Sequence, residues 1–159
     1  MKPALYLETS IIGYLTSRFS RDLITAGRQQ LTQEWWLTER DRYEIFISPF
    51  VLDESEAGDA EAAAERSEVL EGLPLIEPEE QANALAERLM CEVPLPKKAA
   101  VDAAHIAVAA VSGMDYLLTW NFKHIANAIL RDRIERVCRL SGYKPPVICT
   151  PEELLGDKS

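Results

Sequence analysis

The stretch that decides the fold is KKAAVDAAHIAVAAVSGMDYLLTWNFKH, which occupies residues 97–124. Over 99–111 it is apolar except for Asp102 and His105. Small side chains let a helix pack closely against its neighbours, so this pattern predicts a helix that is buried on more than one side. Gly113 is placed to end that helix, because glycine adopts a positive φ at little cost. Residues 116–119 (YLLT) then predict a short buried strand, and 120–124 predict a polar loop at its carboxyl end.

Asp102 is the unusual residue of this helix. A carboxylate in an apolar environment is unfavourable unless it is paired, hydrogen-bonded or bound to a cation. We therefore expect Asp102 to face the loop over 120–124.

Composition sets the broad class of the chain. Its 159 residues, 47% hydrophobic and 27% charged, predict one domain spanning 1–159. No apolar run reaches the roughly 18 residues of a membrane span, and the amino terminus does not resemble a signal peptide, so we expect a cytoplasmic protein. The cysteines Cys91, Cys138 and Cys149 are widely spaced and odd in number, which favours free, mostly buried thiols.

Charge is distributed unevenly along the chain. The net charge of −9 argues against non-specific nucleic-acid binding through the whole surface. Residues 53–92 contain 13 acidic and two basic residues, a local charge of −11, so the remainder of the chain carries +2. A local basic face beside an acidic pocket is one interpretation, and a set of solvated helix faces is the other.

Apolar strands that alternate with helices determine the predicted architecture. Strands are expected over 4–7, 44–48, 73–76, 116–119 and 147–149. Helices are expected from near Ile11, where Thr9 or Ser10 would be the cap, and over 21–40, 49–58, 59–70, 78–91, 126–140 and 151–155. The strands do not alternate strongly between polar and apolar residues, which is typical of a parallel sheet covered on both faces. The predicted fold is α/β, a three-layer α/β/α sandwich with a mostly parallel sheet of about five strands.

Polar residues follow the predicted strands at the edge of the sheet where sites usually form. These are Glu8, one of the acids Asp53, Glu54 and Glu56, Asp102 at the start of its helix, and the loop with Asn121 and His124. Carboxylates that converge in one cleft repel each other, and Mg²⁺ or Mn²⁺ prefers such oxygen ligands. Each residue also has a purely structural explanation. Glu8 would be a solvated cap, Glu54 a surface acid and Asp102 a partner of the helix dipole. Asn121 would cap a turn, and His105 would be a hydrogen-bonded core residue.

Other common catalytic sites lack their motifs. The sequence contains no G-x-G-x-x-G, no Walker lysine loop, no G-x-S-x-G and no H-E-x-x-H. Dinucleotide, P-loop, serine hydrolase and zinc protease sites are therefore not expected.

Four segments together resemble a known family across nearly the whole chain. They are YLETSIIGYL near the start, SPFVLDESEAGD, VDAAHIAVAAVSGMDYLLTWN and the closing VICTPEELL. The sequence resembles PIN domains, specifically the VapC-type toxin ribonucleases of bacterial and archaeal toxin–antitoxin pairs. The resemblance implies a PIN-like fold and a quartet of acidic positions that holds Mg²⁺ or Mn²⁺ for cleavage of single-stranded or loop RNA.

The resemblance assigns the site residue by residue. The first acidic position falls on Glu8, where the family usually has Asp, and the second on Glu54. The third falls on Asp102. The pattern T-x-N-x-x-[D/H] after the fourth strand matches Thr119, Asn121 and His124, the last of which is often Asp. Thr9 or Ser10 matches the small hydroxyl residue that often follows the first acid.

This assignment implies metal-assisted hydrolysis of an RNA phosphodiester by a metal-dependent endoribonuclease. Glu8, Glu54 and Asp102 would hold the ion, and Asn121 would complete the shell or orient a water. Candidate phosphate contacts are Lys97, Lys98, Lys123 and Arg131. The family also implies a small antitoxin partner and a homodimer. Because Glu8 and His124 depart from the usual residues, a catalytically weak or inactive PIN-like module that binds RNA or protein is the alternative. A small phosphatase of the same architecture would need a nucleophilic Asp where Glu8 stands.

Overall fold

Four parallel strands form one sheet in the computed structural model, which describes residues 1–156. The strands are β1 Ala4–Leu7, β2 Glu44–Phe46, β3 Tyr116–Leu118 and β4 Val147–Cys149, in the spatial order β2-β1-β3-β4. Leu5 of β1 pairs with Ile45 on one side and Tyr116 on the other. The carboxyl ends of all four strands therefore meet at one edge of the sheet.

Helices connect the strands and pack in two groups. Within residues 1–156 they are α1 Thr9–Thr16, α2 Leu23–Thr38, α3 Pro49–Glu56, α4 Ala60–Leu70, α5 Glu80–Glu92, α6 Ala100–Val111 and α7 Ala128–Leu140. Helix α1 packs against α2, α3 and α4, α3 also packs against α4, and α5 packs against both α6 and α7. The successive residues Leu5, Tyr6 and Leu7 of β1 are fully buried. Because neighbouring strand residues point to opposite faces, both faces of the sheet are covered, and the predicted α/β fold is confirmed.

Helix α6 has the burial that its sequence predicts. Seven of its residues are buried: Ala103, His105, Ile106, Ala107, Val108, Ala109 and Ala110. They occupy more than one side of the helix, as its small side chains allow. Gly113 follows with a φ of 72°, in the left-handed region that a helix end often requires.

Three predicted local features differ in the structure. The expected strand over 73–76 is reduced to a bridge between Leu75 and Ile47. Pro74 has no N–H to donate to a ladder, which limits the pairing to this bridge. The expected helix over 151–155 is a run of turns with hydrogen bonds three residues apart. Helix α1 begins at Thr9, and its capping residue is Glu8 rather than Thr9 or Ser10.

Two further predictions concern the thiols and the membrane. The three cysteines are free; Cys138 and Cys149 are buried, and Cys91 is exposed. None of the helices within residues 1–156 has the length and apolar character needed to cross a lipid bilayer. Residues 157–159 of the predicted domain lie outside the described residues.

Candidate metal centre

The carboxyl edge of the sheet brings together side chains that are distant in the sequence. Glu8 directly follows β1 and is only 4% exposed, and Thr119 directly follows β3 and is fully buried. The Glu8 backbone N–H donates to the Leu118 carbonyl at 3.1 Å, which extends the pairing of the two strands to this point. The position of Glu8 is therefore fixed by the sheet itself.

Hydroxyl and backbone groups fix the Glu8 carboxylate. Its Oε2 accepts the Ser10 backbone N–H at 3.0 Å, which caps α1. Its Oε1 accepts from the hydroxyls of Ser10 and Thr119. A hydroxyl has one proton to donate, and Ser10 and Thr119 both donate theirs to Glu8.

The same two hydroxyls accept hydrogen bonds from the loop that follows β3. Ser10 Oγ accepts the Trp120 backbone N–H at 2.8 Å, and Thr119 Oγ1 accepts the Asn121 N–H at 2.9 Å. Each hydroxyl thus links the Glu8 carboxylate to the loop backbone. The structure therefore gives the small hydroxyls Ser10 and Thr119 a role in positioning both Glu8 and the loop.

Glu54 lies on α3, and its carboxylate is held by α1 and α6. Glu54 Oε1 accepts from Thr9 Oγ1 at 2.6 Å and from His105 Nε2 at 2.6 Å. Partial burial acts to raise the pKa of Glu54, but the hydrogen bonds from His105 and Thr9 outweigh it and leave the pKa below its ordinary value. The ionised carboxylate is therefore the favoured form of Glu54.

His105 is fully buried and connects Glu54 to the sheet. Its Nδ1 lies 2.6 Å from the Tyr6 hydroxyl, which lies 2.7 Å from Ser48 Oγ. A carboxylate only accepts, so His105 donates to Glu54 through Nε2–H. In the neutral ring Nδ1 then accepts from Tyr6, and Tyr6 accepts from Ser48. This arrangement, the Ser48–Tyr6–His105 relay, orients the imidazole toward Glu54.

Glu8, Glu54 and His105 form a group that could hold a metal ion. One ligand atom from each lies within 4.8 Å of the other two. Carboxylate oxygens suit Mg²⁺ and Mn²⁺. His105 Nε2 carries the proton that it donates to Glu54, so the two carboxylates are the ligands of this group that are available to an ion, and they fit the predicted divalent ion.

Asp102 lies on α6, one helical turn before His105, and is outside this group. Its Oδ2 lies 2.8 Å from Nδ1 of His124, and the two side chains are 17% and 16% exposed. The predicted approach of Asp102 to the loop over 120–124 is therefore present in the structure. Its role as a metal ligand remains a prediction.

Asn121 organises the loop in which it lies. Its Oδ1 accepts the His124 backbone N–H at 3.1 Å, and its carbonyl accepts the Ala126 N–H at 2.8 Å. These bonds form a turn that presents His124 to Asp102. The catalytic role of Asn121 stays a prediction.

The predicted phosphate contacts differ in accessibility. Lys97 and Lys98 lie in the 3₁₀ turn that precedes α6 and are exposed, as is Lys123 in the loop. Arg131 is half-buried, and its Nε has no hydrogen-bond partner among residues 1–156. The three lysines are therefore the more accessible cations.

Sequence reasoning treats His105 as a core residue, and the structure adds its contact with Glu54. The spacing from Asp102 to His105 is three residues, which places both on one face of a helix. That spacing is the signal that could have placed His105 in the site. Neither the Tyr6 contact nor the Glu54 contact is visible in the sequence, because both join separate elements.

Comparisons with solved structures identify proteins of the same fold. VapC20 of Mycobacterium tuberculosis, described as a sarcin-ricin-loop-cleaving toxin, aligns with a TM-score of 0.60 and 16% identity over 79% of this chain and 95% of that chain. VapBC2 of Rickettsia felis, bound to a DNA fragment from its promoter, aligns with a TM-score of 0.57 and 16% identity over 92% of this chain and 98% of that chain. The sequence matches no protein-family model and no curated protein. The predicted VapC-type PIN-domain fold is confirmed by the structural likeness.

Proposed function

We propose that this protein is a metal-dependent endoribonuclease that hydrolyses RNA phosphodiester bonds as the toxin of a toxin–antitoxin pair. The observation that carries the proposal is the convergence of Glu8 and Glu54 at the carboxyl edge of the sheet, each held by hydrogen bonds from another element. Two carboxylates held this close are costly without a cation. The fold shared with VapC20, a toxin described as cleaving the sarcin-ricin loop, supports the proposed activity.

Glu8, Glu54 and Asp102 would hold a Mg²⁺ or Mn²⁺ ion. When bound, such an ion lowers the pKa of a water ligand and offsets charge on the phosphate. Thr9, Ser10, Thr119 and His105 keep the Glu8 and Glu54 carboxylates oriented before substrate arrives. Preorganised ligands lose less conformational entropy on binding, so these hydrogen bonds favour metal affinity.

The remaining predicted residues act on the substrate side of the site. Asn121 and His124 hold the loop against Asp102, and Asn121 is proposed to orient a water. Lys97, Lys98 and Lys123 attract the RNA backbone, with Arg131 as a fourth and less exposed contact. The proposed place of action is the cytoplasm, where the RNA substrate would be found.

The proposed protein partners are a small antitoxin and a second copy of this chain. Helix α2 exposes Leu23, Ile24 and Leu37 at 87%, 66% and 81%. Exposed apolar side chains of this kind are a common component of protein interfaces. VapBC2 of Rickettsia felis, which has the same fold, supports a paired partner.

The test replaces the proposed ligands one at a time. We expect Glu8→Gln, Glu54→Gln and Asp102→Asn each to lower the rate of single-stranded RNA cleavage by at least about 100-fold. Each substitution replaces a negatively charged ligand of the ion with a neutral amide. Cleavage is measured in Mg²⁺ or Mn²⁺ with EDTA as a control, and Mn²⁺ binding is measured by calorimetry.

Asp53→Asn and Glu56→Gln are the matched controls. Both residues are exposed acids of α3 that flank Glu54, and neither belongs to the group with Glu8 and His105. These variants should cleave at the parent rate. Cleavage at the parent rate by Asp102→Asn would remove Asp102 from the site. A parent protein that binds RNA and Mn²⁺ without cleaving would favour the inactive binding module.

A further inference from the structure

Beside the candidate metal centre, the loop after β3 presents an aromatic surface formed by Trp120, Phe122 and Arg28, here named the aromatic ledge. The rings of Trp120 and Phe122 meet edge to face with centroids 6.0 Å apart. The Arg28 guanidinium of α2 lies 4.8 Å from the centroid of Phe122 and 5.6 Å from that of Trp120. Trp120 is 6% exposed, whereas Phe122 is 42% exposed.

Hydrogen bonds hold the base of the ledge in place. Trp120 Nε1 donates to Thr32 Oγ1 of α2 at 2.7 Å, and its ring packs beside Tyr14 of α1 with centroids 5.8 Å apart. Trp120 is therefore part of the packed interior. Phe122 packs on this base and keeps 42% of its surface in solvent, and that exposed part adds nothing to folding because it is not removed from water.

The ledge is tied directly to the candidate metal centre. The Ser10 hydroxyl that accepts the Trp120 backbone N–H at 2.8 Å also donates to the Glu8 carboxylate. One side chain thus connects Trp120 to Glu8. The backbone of the ledge is therefore one side chain away from the Glu8 carboxylate.

We infer that the aromatic ledge binds an unpaired RNA base next to the phosphate that is cleaved, an inference that rests on the proposed ribonuclease function. Phe122 provides a face on which a base stacks, and Arg28 provides a planar cation that stacks with bases and attracts phosphate. Lys123, exposed beside Phe122, adds a second positive charge. An exposed ring flanked by two cations suits a polyanion with flat bases better than an apolar peptide.

The test measures stacking directly, in EDTA so that no cleavage occurs. A short single-stranded RNA carries the fluorescent base 2-aminopurine at one position after another along its length. The parent protein should quench the fluorescence at one or two positions, since 2-aminopurine is quenched when it stacks. Phe122→Ala should abolish that quenching and weaken RNA binding roughly 5-fold to 150-fold, the range expected for loss of one stacked base.

Matched variants separate stacking from apolar bulk and from folding. Phe122→Tyr and Phe122→Trp keep an aromatic face and should retain the quenching, whereas Phe122→Leu should lose it. Leu140→Ala removes an exposed apolar side chain at the end of α7 and should bind as the parent does. Mn²⁺ binding by Phe122→Ala should equal that of the parent, which confirms that the metal centre is intact.

The outcomes distinguish this inference from the proposed function. If the parent cleaves RNA and Phe122→Ala binds and quenches as the parent does, the ledge inference is wrong while the ribonuclease stands. The ledge inference is also wrong if Phe122→Ala loses binding to a protein partner but binds RNA as the parent does. If the parent binds RNA with the expected quenching but never cleaves, base stacking on the ledge stands and the proposed activity fails. A parent that neither binds nor cleaves RNA contradicts both.

Discussion

At the scale of single residues, the Tyr6 hydroxyl joins two buried polar groups that belong to different elements. It lies 2.7 Å from Ser48 Oγ and 2.6 Å from His105 Nδ1, and Tyr6, Ser48 and His105 are all fully buried. Tyr6→Phe leaves both partners without this hydrogen bond. We expect the variant to lower the free energy of unfolding by about 1–3 kcal/mol, measured by urea denaturation.

Tyr143→Phe is the control for the loss of a tyrosine hydroxyl. Tyr143 packs against the core, and among residues 1–156 its hydroxyl has no hydrogen-bond partner in the structure. Its removal should change the unfolding free energy by less than about 0.5 kcal/mol. Equal effects of the two substitutions would indicate that the Ser48–Tyr6–His105 relay does not contribute to stability.

The site residues differ in how far the sequence could predict them. Glu8, Glu54 and Asp102 could be selected as candidates because they follow strands or begin a helix at one edge of the sheet, and because the resemblance names the same positions. Their role as metal ligands stays a prediction. The contact of His105 with Glu54 could not be predicted, since it joins α6 to α3 across the interior. The pairing of Asp102 with His124 depends likewise on a loop conformation that Asn121 fixes through its side chain.

At the scale of elements, two glycines in similar open surroundings should respond oppositely to replacement. Gly113 ends α6 with a φ of 72°, and Gly27 lies inside α2; a Cβ built on either meets no atom within 4 Å. Gly113→Ala should destabilise the protein by about 1–2 kcal/mol, because alanine is strained in the left-handed region. Gly27→Ala should stabilise it by about 0.5–1 kcal/mol, because alanine favours the helix.

Thermal and urea denaturation of both variants measure these effects. Since neither Cβ meets a neighbour, steric clash does not contribute, and the sign of each effect reports the backbone conformation alone. Two destabilising substitutions of equal size would mean that the helix interior at Gly27 is not governed by intrinsic propensity.

Elements with strong periodicity or composition could be predicted from the sequence, and weak ones could not. The central helix, its glycine end and the strands β1, β3 and β4 agree with prediction. In these elements the apolar pattern and the residues that end the element, such as glycine, predict the same structure. The segment over 73–76 has the apolar composition of a strand, but Pro74 has no backbone N–H to donate. The pairing is therefore limited to Leu75. The segment over 151–155 has helical composition but is too short to offset the cost of helix nucleation.

At the scale of the whole molecule, the charge distribution predicts where the proposed RNA substrate would approach. The segment over 53–92 carries −11 and contains α3, α4 and α5, whereas the rest of the chain carries +2. Under the proposed function, the exposed Lys97 and Lys98, which precede α6, provide a local positive charge that attracts the RNA backbone despite the acidic segment. Binding through a few local cations, despite a net charge of −9, should leave a measurable dependence on salt.

The slope of that dependence counts the phosphate contacts. For single-stranded RNA, log K falls with log salt by about 0.7 per phosphate neutralised, so Lys97→Gln with Lys98→Gln should make the slope shallower by about 1.4. The slope is measured by fluorescence anisotropy in EDTA. Arg133→Gln with Lys144→Gln is the control, because both residues are exposed and the pair removes the same charge from another part of the chain. The control should retain the parent slope. Equal changes in both double variants would mean that net charge, and not a local contact, governs the attraction of RNA, and Lys97 and Lys98 would then lose their assigned role.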